Sequence, residues 1–181
     1  MRITPLALAG VHRIDLEPFA DERGFFARTY CVRELAAAGI EAPIAQTSLS
    51  WNPRRGTFRG LHWQAPPDEE TKIVRCVRGR IHDVLVDLRP GSPTYLRHVA
   101  VELSEAERNA VVVPPGVAHG FLTLVDGCEV HYAMSAFHAP ESARGARWDD
   151  PAFGISWPAA IEVISERDRG WPDFAPPAPA S

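Results

Sequence analysis

Three things are scarce in this chain of 181 residues: cysteine, uninterrupted apolar sequence and positive charge. The three cysteines, Cys31, Cys76 and Cys128, are odd in number, far apart and free of any CxxC pair. That excludes a disulfide framework and offers no thiolate metal site; they read as small buried apolar residues. No stretch approaches the roughly 18 consecutive apolar residues of a membrane span. The apolar opening breaks at His12 and Arg13 after about six residues, too short for a signal peptide. With 19 Lys and Arg against 23 Asp and Glu the formal charge is −4, which argues against a nucleic-acid partner. A cytoplasmic protein with neither nucleic-acid nor membrane partners is the simplest expectation.

What the chain does have is short β-type runs. Branched and aromatic residues cluster at 11–17, 25–31, 44–51, 57–64, 72–79, 80–89, 97–103, 110–116, 118–125 and 128–135, separated by Gly, Pro, Asp or Ser. Gly79 and Asp126-Gly127 read as hairpin turns. Helix is predicted only at 32–39 and as one turn at Ser104-Glu105-Ala106-Glu107. Closely spaced strands of this kind point to an all-β sandwich or barrel. At this length about 70% of the unfolded chain's surface can be buried, which suits a single domain over 1–181. A Pro/Ala-rich tail from about 172 is expected to be loose.

Two stretches carry the chemistry. Val113 to Phe121, VPPGVAHGF, resembles the second signature of the cupins, which are double-stranded β-helix jelly rolls. The first cupin signature, beginning near Gly56, has the form His-x-His followed by Glu in metal-binding members. Here it reads His62-Trp63-Gln64, with Lys72 where the carboxylate belongs. An ammonium has no lone pair for a metal, so neither metal nor other cofactor is expected. A cup holding His62, His119, Lys72, Arg59 and Tyr132 instead has the parts for proton abstraction beside a carbonyl. Histidine serves as base near neutrality, tyrosine returns a proton, and a cation stabilises the oxyanion.

Seven stretches in order are similar to the dTDP-4-dehydrorhamnose 3,5-epimerase family, a metal-free cupin branch. They are DERGFF (21–26), RGLHWQAPP (59–67), KIVRCVRGRIHDVLVDLRPGSPTY (72–95), VPPGVAHGF (113–121), EVHY (129–132), RWDDPAFGISWP (147–158) and ISERD (164–168). The resemblance implies a cupin-like jelly roll that acts on a nucleotide-linked 4-keto-6-deoxyhexose. It implies His62 as base, Asp168 as its dyad partner, Tyr132 as acid and Lys72 at the enolate oxygen. His119 would line the same pocket. Arg23, Phe26, Gln46, Ser48, Arg59, Phe137 and Glu141 are implied as substrate-binding, and the chain as a homodimer with N-terminal strand exchange in which Arg23 serves the neighbour.

The chain departs from the family in three places. Gln46-Thr47-Ser48 stands for Gln-Asp-Asn, Arg28 for Glu, and Phe137-His138 for Tyr-Tyr. The first two fall at the nucleotide end; at the third, Phe137 lacks a hydroxyl expected near the sugar, which bears on whether C3, C5 or both are inverted. A sugar 3,4-ketoisomerase and a non-catalytic sugar-nucleotide-binding cupin are the alternatives. One physical condition attaches to this reading. Arg59 and His62 lie on opposite faces of an ideal strand, so the two serve one site only if Gly60 lets the strand bulge or Arg59 acts from the rim.

Overall fold

Inner and outer residues alternate along nearly every strand, and that alternation builds two sheets face to face. The computed structural model describes residues 1–175. In chain order the elements are β1 (Arg2–Pro5), β2 (His12–Asp15), β3 (Phe19–Asp21), β4 (Gly24–Phe26), α1 (Val32–Ala37), β5 (Gln46–Asn52), β6 (Phe58–Gln64) and β7 (Lys72–Arg78). There follow β8 (Arg80–Asp87), β9 (His98–Ser104), β10 (Ala110–Val113), β11 (Val117–Thr123), β12 (Cys128–Met134), β13 (Ala143–Gly145) and α2 (Glu166–Arg169).

One sheet has the order β1-β2-β10-β7-β12-β5 and the other β13-β6-β11-β8-β9, with every strand pair antiparallel. This is the expected all-β jelly roll. Consecutive strands β7 and β8 lie in different sheets, as do β11 and β12. Gly79 (φ +81°) and Gly127 (φ +70°) are therefore corners between sheets, not the hairpin turns expected. A turn residue supplies the positive φ in either case, and which sheet the next strand joins is decided by its distant partners.

The inner rows form the main core, with Val74, Cys76, Ile81, Leu85, Phe121, Cys128 and Val130 packed between the sheets. Cys76 and Cys128 are fully buried, as expected, while Cys31 is only half-buried. Helix α1 and its flanks cover the outer side of the six-stranded sheet through Leu35, Ile40 and Ala42. The segment after β13 covers the outer side of the other sheet, where Phe153 and Trp157 pack near Leu61, Val84 and Val86. The predicted helical turn at 104–107 is the end of β9 and a tight turn. The start of the supposedly loose tail is held in place. Phe174 donates its N–H to Asp150 (2.6 Å) and packs its ring on Phe153, and Asp173 pairs with Arg147 (2.8 Å). The rest of that tail, 176–181, lies outside the described residues. Among the described residues no helix is long and apolar enough to cross a membrane.

Strand β6 contains the required bulge. Its register against β11 pairs His119 with His62 but Phe121 with Arg59, so Gly60 and Leu61 together face Gly120. Two residues opposite one shift the parity, and Arg59 and His62 both turn inward. A Cβ on Gly60 would fall 2.5 Å from the Gly120 Cα, and the Gly60 φ of +138° disfavours any side chain. Gly60→Ala should lower the unfolding free energy by more than about 2 kcal/mol, measured by urea denaturation followed by tryptophan fluorescence. A loss within about 0.5 kcal/mol, the range of a neutral surface change, would show that the approach is not tight.

Candidate active site

Toward one end of the sandwich the inner rows change from apolar to polar. On β12, Cys128 and Val130 give way to Tyr132; on β5 the row is Gln46, Ser48, Ser50 and Asn52. The result is an open cavity of about 760 Å³. His62 and His119 line it from one sheet, and Tyr132, Lys72, Gln46 and Ser48 from the other.

His62 Nε2 donates to Asp168 Oδ1 at 2.6 Å. The imidazole is open to the cavity while the carboxylate is buried. Burial alone would raise the Asp168 carboxyl, but the His62 hydrogen bond and charge, with donors at Gly60 and Ser165, hold it below the ordinary carboxylate value. Ser165 caps α2 by accepting from the Asp168 N–H (3.0 Å). With Nε2 engaged, Nδ1 remains as the proton acceptor.

A second pair mirrors the first at greater depth. His119 Nε2 donates to Asp83 Oδ2 at 2.7 Å, and Asp83 is completely buried. Burial raises the Asp83 carboxyl despite His119. The rings of His119 and Tyr132 meet edge-on with centroids 6.2 Å apart. Burial pushes the Tyr132 phenol up, Ser50 and Arg59 opposing it, so the hydroxyl stays protonated near neutrality. Lys72, the only lysine in the chain, lies 3.0 Å from Glu70 Oε1, both side chains being largely buried. Arg59 reaches the cavity from the rim, its Nε donating to Asn52 Oδ1 at 2.7 Å. Asn52 is fully buried and is fixed in turn by Ser50 and the Cys128 carbonyl.

Gln64, at the place of a metallocupin's second histidine, is buried and lines the cavity, with its amide committed to neighbouring loops. Its amide donates to the Asp68 and Phe137 carbonyls (2.7 and 3.2 Å) and accepts from the Ala139 N–H (2.7 Å). Among the described residues no group of three or more His, Cys, Asp or Glu side chains is close enough to hold a metal.

The match with known proteins agrees with this geometry. The family model for dTDP-4-dehydrorhamnose 3,5-epimerase matches residues 5–176. The chain belongs to the dTDP-4-dehydrorhamnose 3,5-epimerase family. It is 39% identical over 175 residues to a dTDP-4-dehydrorhamnose 3,5-epimerase of Sinorhizobium fredii, covering 96% of this chain and 90% of that one. It is also 39% identical over 170 residues to a dTDP-4-dehydrorhamnose 3-epimerase of Streptomyces niveus, covering 93% and 82%. A solved dTDP-4-dehydrorhamnose 3,5-epimerase structure from Bacillus anthracis, with TDP and PPi bound, superimposes with a TM-score of 0.91 at 32% identity, covering 96% of this chain and 99% of that one.

Within this epimerase fold eight of the twelve expected residues line one cavity: His62, Tyr132, Asp168, Lys72, Gln46, Ser48, Arg59 and His119. Phe137 does not; it is 72% exposed, and its neighbour His138 lines the cavity instead. Gln64 holds the backbone on both sides of position 138 through the Phe137 carbonyl and the Ala139 N–H. Glu141 is likewise exposed outside the cavity, in the turn before β13, and Ala143 and Arg144 reach the cavity in its place. Arg23 and Phe26 sit on the exposed β3–β4 hairpin, away from this chain's own cavity. Arg23 there pairs with Asp21.

Sequence reasoning missed Asp83, Asn52, Glu70 and Arg167. One of these had a signal, because Asp83 is a polar residue at inward parity in the stretch 80–89 read as strand, while Asn52 falls just past the stretch 44–51. Arg167 stood inside the quoted ISERD stretch without an assignment.

Removing His119 leaves the buried Asp83 carboxylate alone. His119→Ala should cost about 3–5 kcal/mol of stability near neutral pH. A carboxyl whose folded-state pKa is raised favours folding below its unfolded value and loses that contribution as pH rises through the folded value. The deficit of His119→Ala should therefore shrink on acidification as Asp83 takes up a proton. Urea unfolding at several pH values would check this, and a deficit independent of pH would refute the account of Asp83.

Proposed function

We propose that this chain epimerises a dTDP-linked 4-keto-6-deoxyhexose at C3, C5 or both, by proton removal on one face and reprotonation on the other. One observation carries the reading. The His62–Asp168 dyad and the Tyr132 hydroxyl stand on opposite sheets across a single cavity, as a base and an acid must to serve opposite faces of a ring.

His62 Nδ1 takes the proton α to the C4 ketone, and the bonding pair moves onto the C4 oxygen. The Lys72 ammonium and the His119 imidazole stabilise that enolate. Tyr132 then donates its phenolic proton to the carbon from the other side. The substrate ends with as many protons as it began, and water resets the imidazolium and the phenolate. Asp168 orients the imidazole and steadies its charged form. Arg59, held by Asn52, suits the diphosphate with its bidentate guanidinium. Gln46 and Ser48 lie along the nucleotide end.

Family membership does not decide between C3 and both carbons, since a 3,5-epimerase and a 3-epimerase are equally similar to this chain. With dTDP-4-keto-6-deoxyglucose in D₂O, solvent deuterium should appear at one or both carbons by NMR. His62→Ala should lower exchange by at least about 10² while leaving the protein folded. Tyr132→Phe should reduce epimerised product more than exchange. A protein that binds the substrate without exchange at either carbon is a binding cupin, and a displaced carbonyl in the product is the mark of a ketoisomerase.

The same reading makes the chain a homodimer with exchanged N-terminal strands, in which Arg23 and Phe26 complete the partner's site. Phe19 and Phe26 are 77% and 76% exposed on the hairpin that carries Arg23, a large apolar exposure for an isolated chain. Its three cysteines are free thiols, which suits the reducing cytoplasm. Mixing His62→Ala chains with Arg23→Ala chains should restore activity that neither variant has alone. Failure to complement in a mixture shown by mass spectrometry to contain heterodimers would place Arg23 outside the partner's site.

A further inference from the structure

Helix α2 is only four residues long, yet it must hold Asp168 within 2.6 Å of His62. A helix of one turn is not stable by itself, so something else seats it. The strand at this edge of the sheet is β13, and its Gly145 is the register partner of His62. Directly opposed residues in an antiparallel pair present their Cβ positions on the same face. Gly145 therefore leaves open the place beside the base. The Trp171 indole fills it: a Cβ on Gly145 would lie 2.2 Å from both Cε2 and Nε1 of that ring. The φ of Gly145 is outside the left-handed region, so the demand for glycine here comes from space alone.

Trp171 follows α2 directly after Gly170. Arg167, inside α2, lies over the indole with its guanidinium carbon 5.3 Å from the ring centroid. Two residues beyond, Asp173 is tied to Arg147. The indole Nε1 is buried without a partner, a cost of about 1–3 kcal/mol for a donor out of water. The ring is thus placed for its shape rather than for a hydrogen bond.

We propose that Trp171 is a positioning residue of the epimerase: its indole, seated on the bare Cα of Gly145, holds α2 and with it Asp168 against His62. This rests on the reading of His62–Asp168 as the catalytic dyad. The pair acts through Asp168 alone, and neither residue touches the substrate.

The test uses Gly145→Ala, Trp171→Ala and the double variant, with Asp168→Asn as reference. Gly145→Ala should lower kcat by about 10², the usual cost of an ångström-scale displacement, with KM changed less than threefold. Its pH profile should coincide with that of Asp168→Asn. The downfield imidazole proton of the dyad should be lost from the NMR spectrum of Gly145→Ala and Trp171→Ala alike. The double variant should be no worse than Trp171→Ala, because the added methyl then has room. A merely structural contact would lower the melting temperature and leave kcat, pH profile and dyad proton as in wild type; that result overturns the proposal. If the wild type exchanges no substrate proton, the proposed function fails, and the dyad proton still decides whether Trp171 seats Asp168.

Discussion

The whole site depends on how closely β6 and β11 approach at Gly60 and Gly120. With no side chain on either residue, the backbones come near enough for two residues of one strand to oppose one of the other. That extra residue brings Arg59 and His62, three apart in sequence, onto the same inner face. Without it the strand could offer the cavity His62 or Arg59, but not both. Gly60 also donates its N–H to Asp168 Oδ2 (3.4 Å), a long contact that nonetheless ties the bulge to the dyad.

Built on that distortion, the cavity divides its charged groups by depth. Asp83 and His119 sit at the bottom, where burial makes an unpaired charge costly. The His62–Asp168 pair lies nearer the opening, with the imidazole accessible and the carboxylate covered. Lys72 is paired with Glu70, so the cation at the cavity is partly balanced within the protein. The place of a metallocupin's second histidine is taken by Gln64, whose hydrogen bonds go to loop backbone. Its amide bonds the backbone on either side of position 138, where His138 and not Phe137 lines the cavity.

Most of the strands could be read in the sequence because branched and aromatic residues cluster in runs bounded by Gly, Pro, Asp or Ser. The three-residue strands β3 and β13 and the four-residue β1 could not, since so few residues make no recognisable run. The corners at Gly79 and Gly127 look locally like hairpins; only long-range pairing tells the two apart. Arg59 and His62 could be joined in advance through Gly60, because parity and a glycine are both visible in one strand. Asp168 came from family resemblance alone, as no local pattern links residues 106 apart. Phe137 lies one position, and Glu141 two, from a residue that lines the cavity. A loop has no fixed period, so a shift of one or two positions costs nothing until a clamp such as Gln64 is seen.

That separation along the chain has a consequence for how the protein is made. Synthesis reaches His62, and then the rest of the cup, well before α2 exists. At about 5–20 residues per second, the 106 residues between the partners take roughly 5–20 s to emerge. The strands from β7 to β13 emerge within that interval, so the two sheets can close around the cavity only near its end, before Asp168 is available to His62. The contact between His62 and Asp168 thus forms only after the strands that build the cavity, and a chain broken off before Trp171 would lack the indole that fills the space over Gly145.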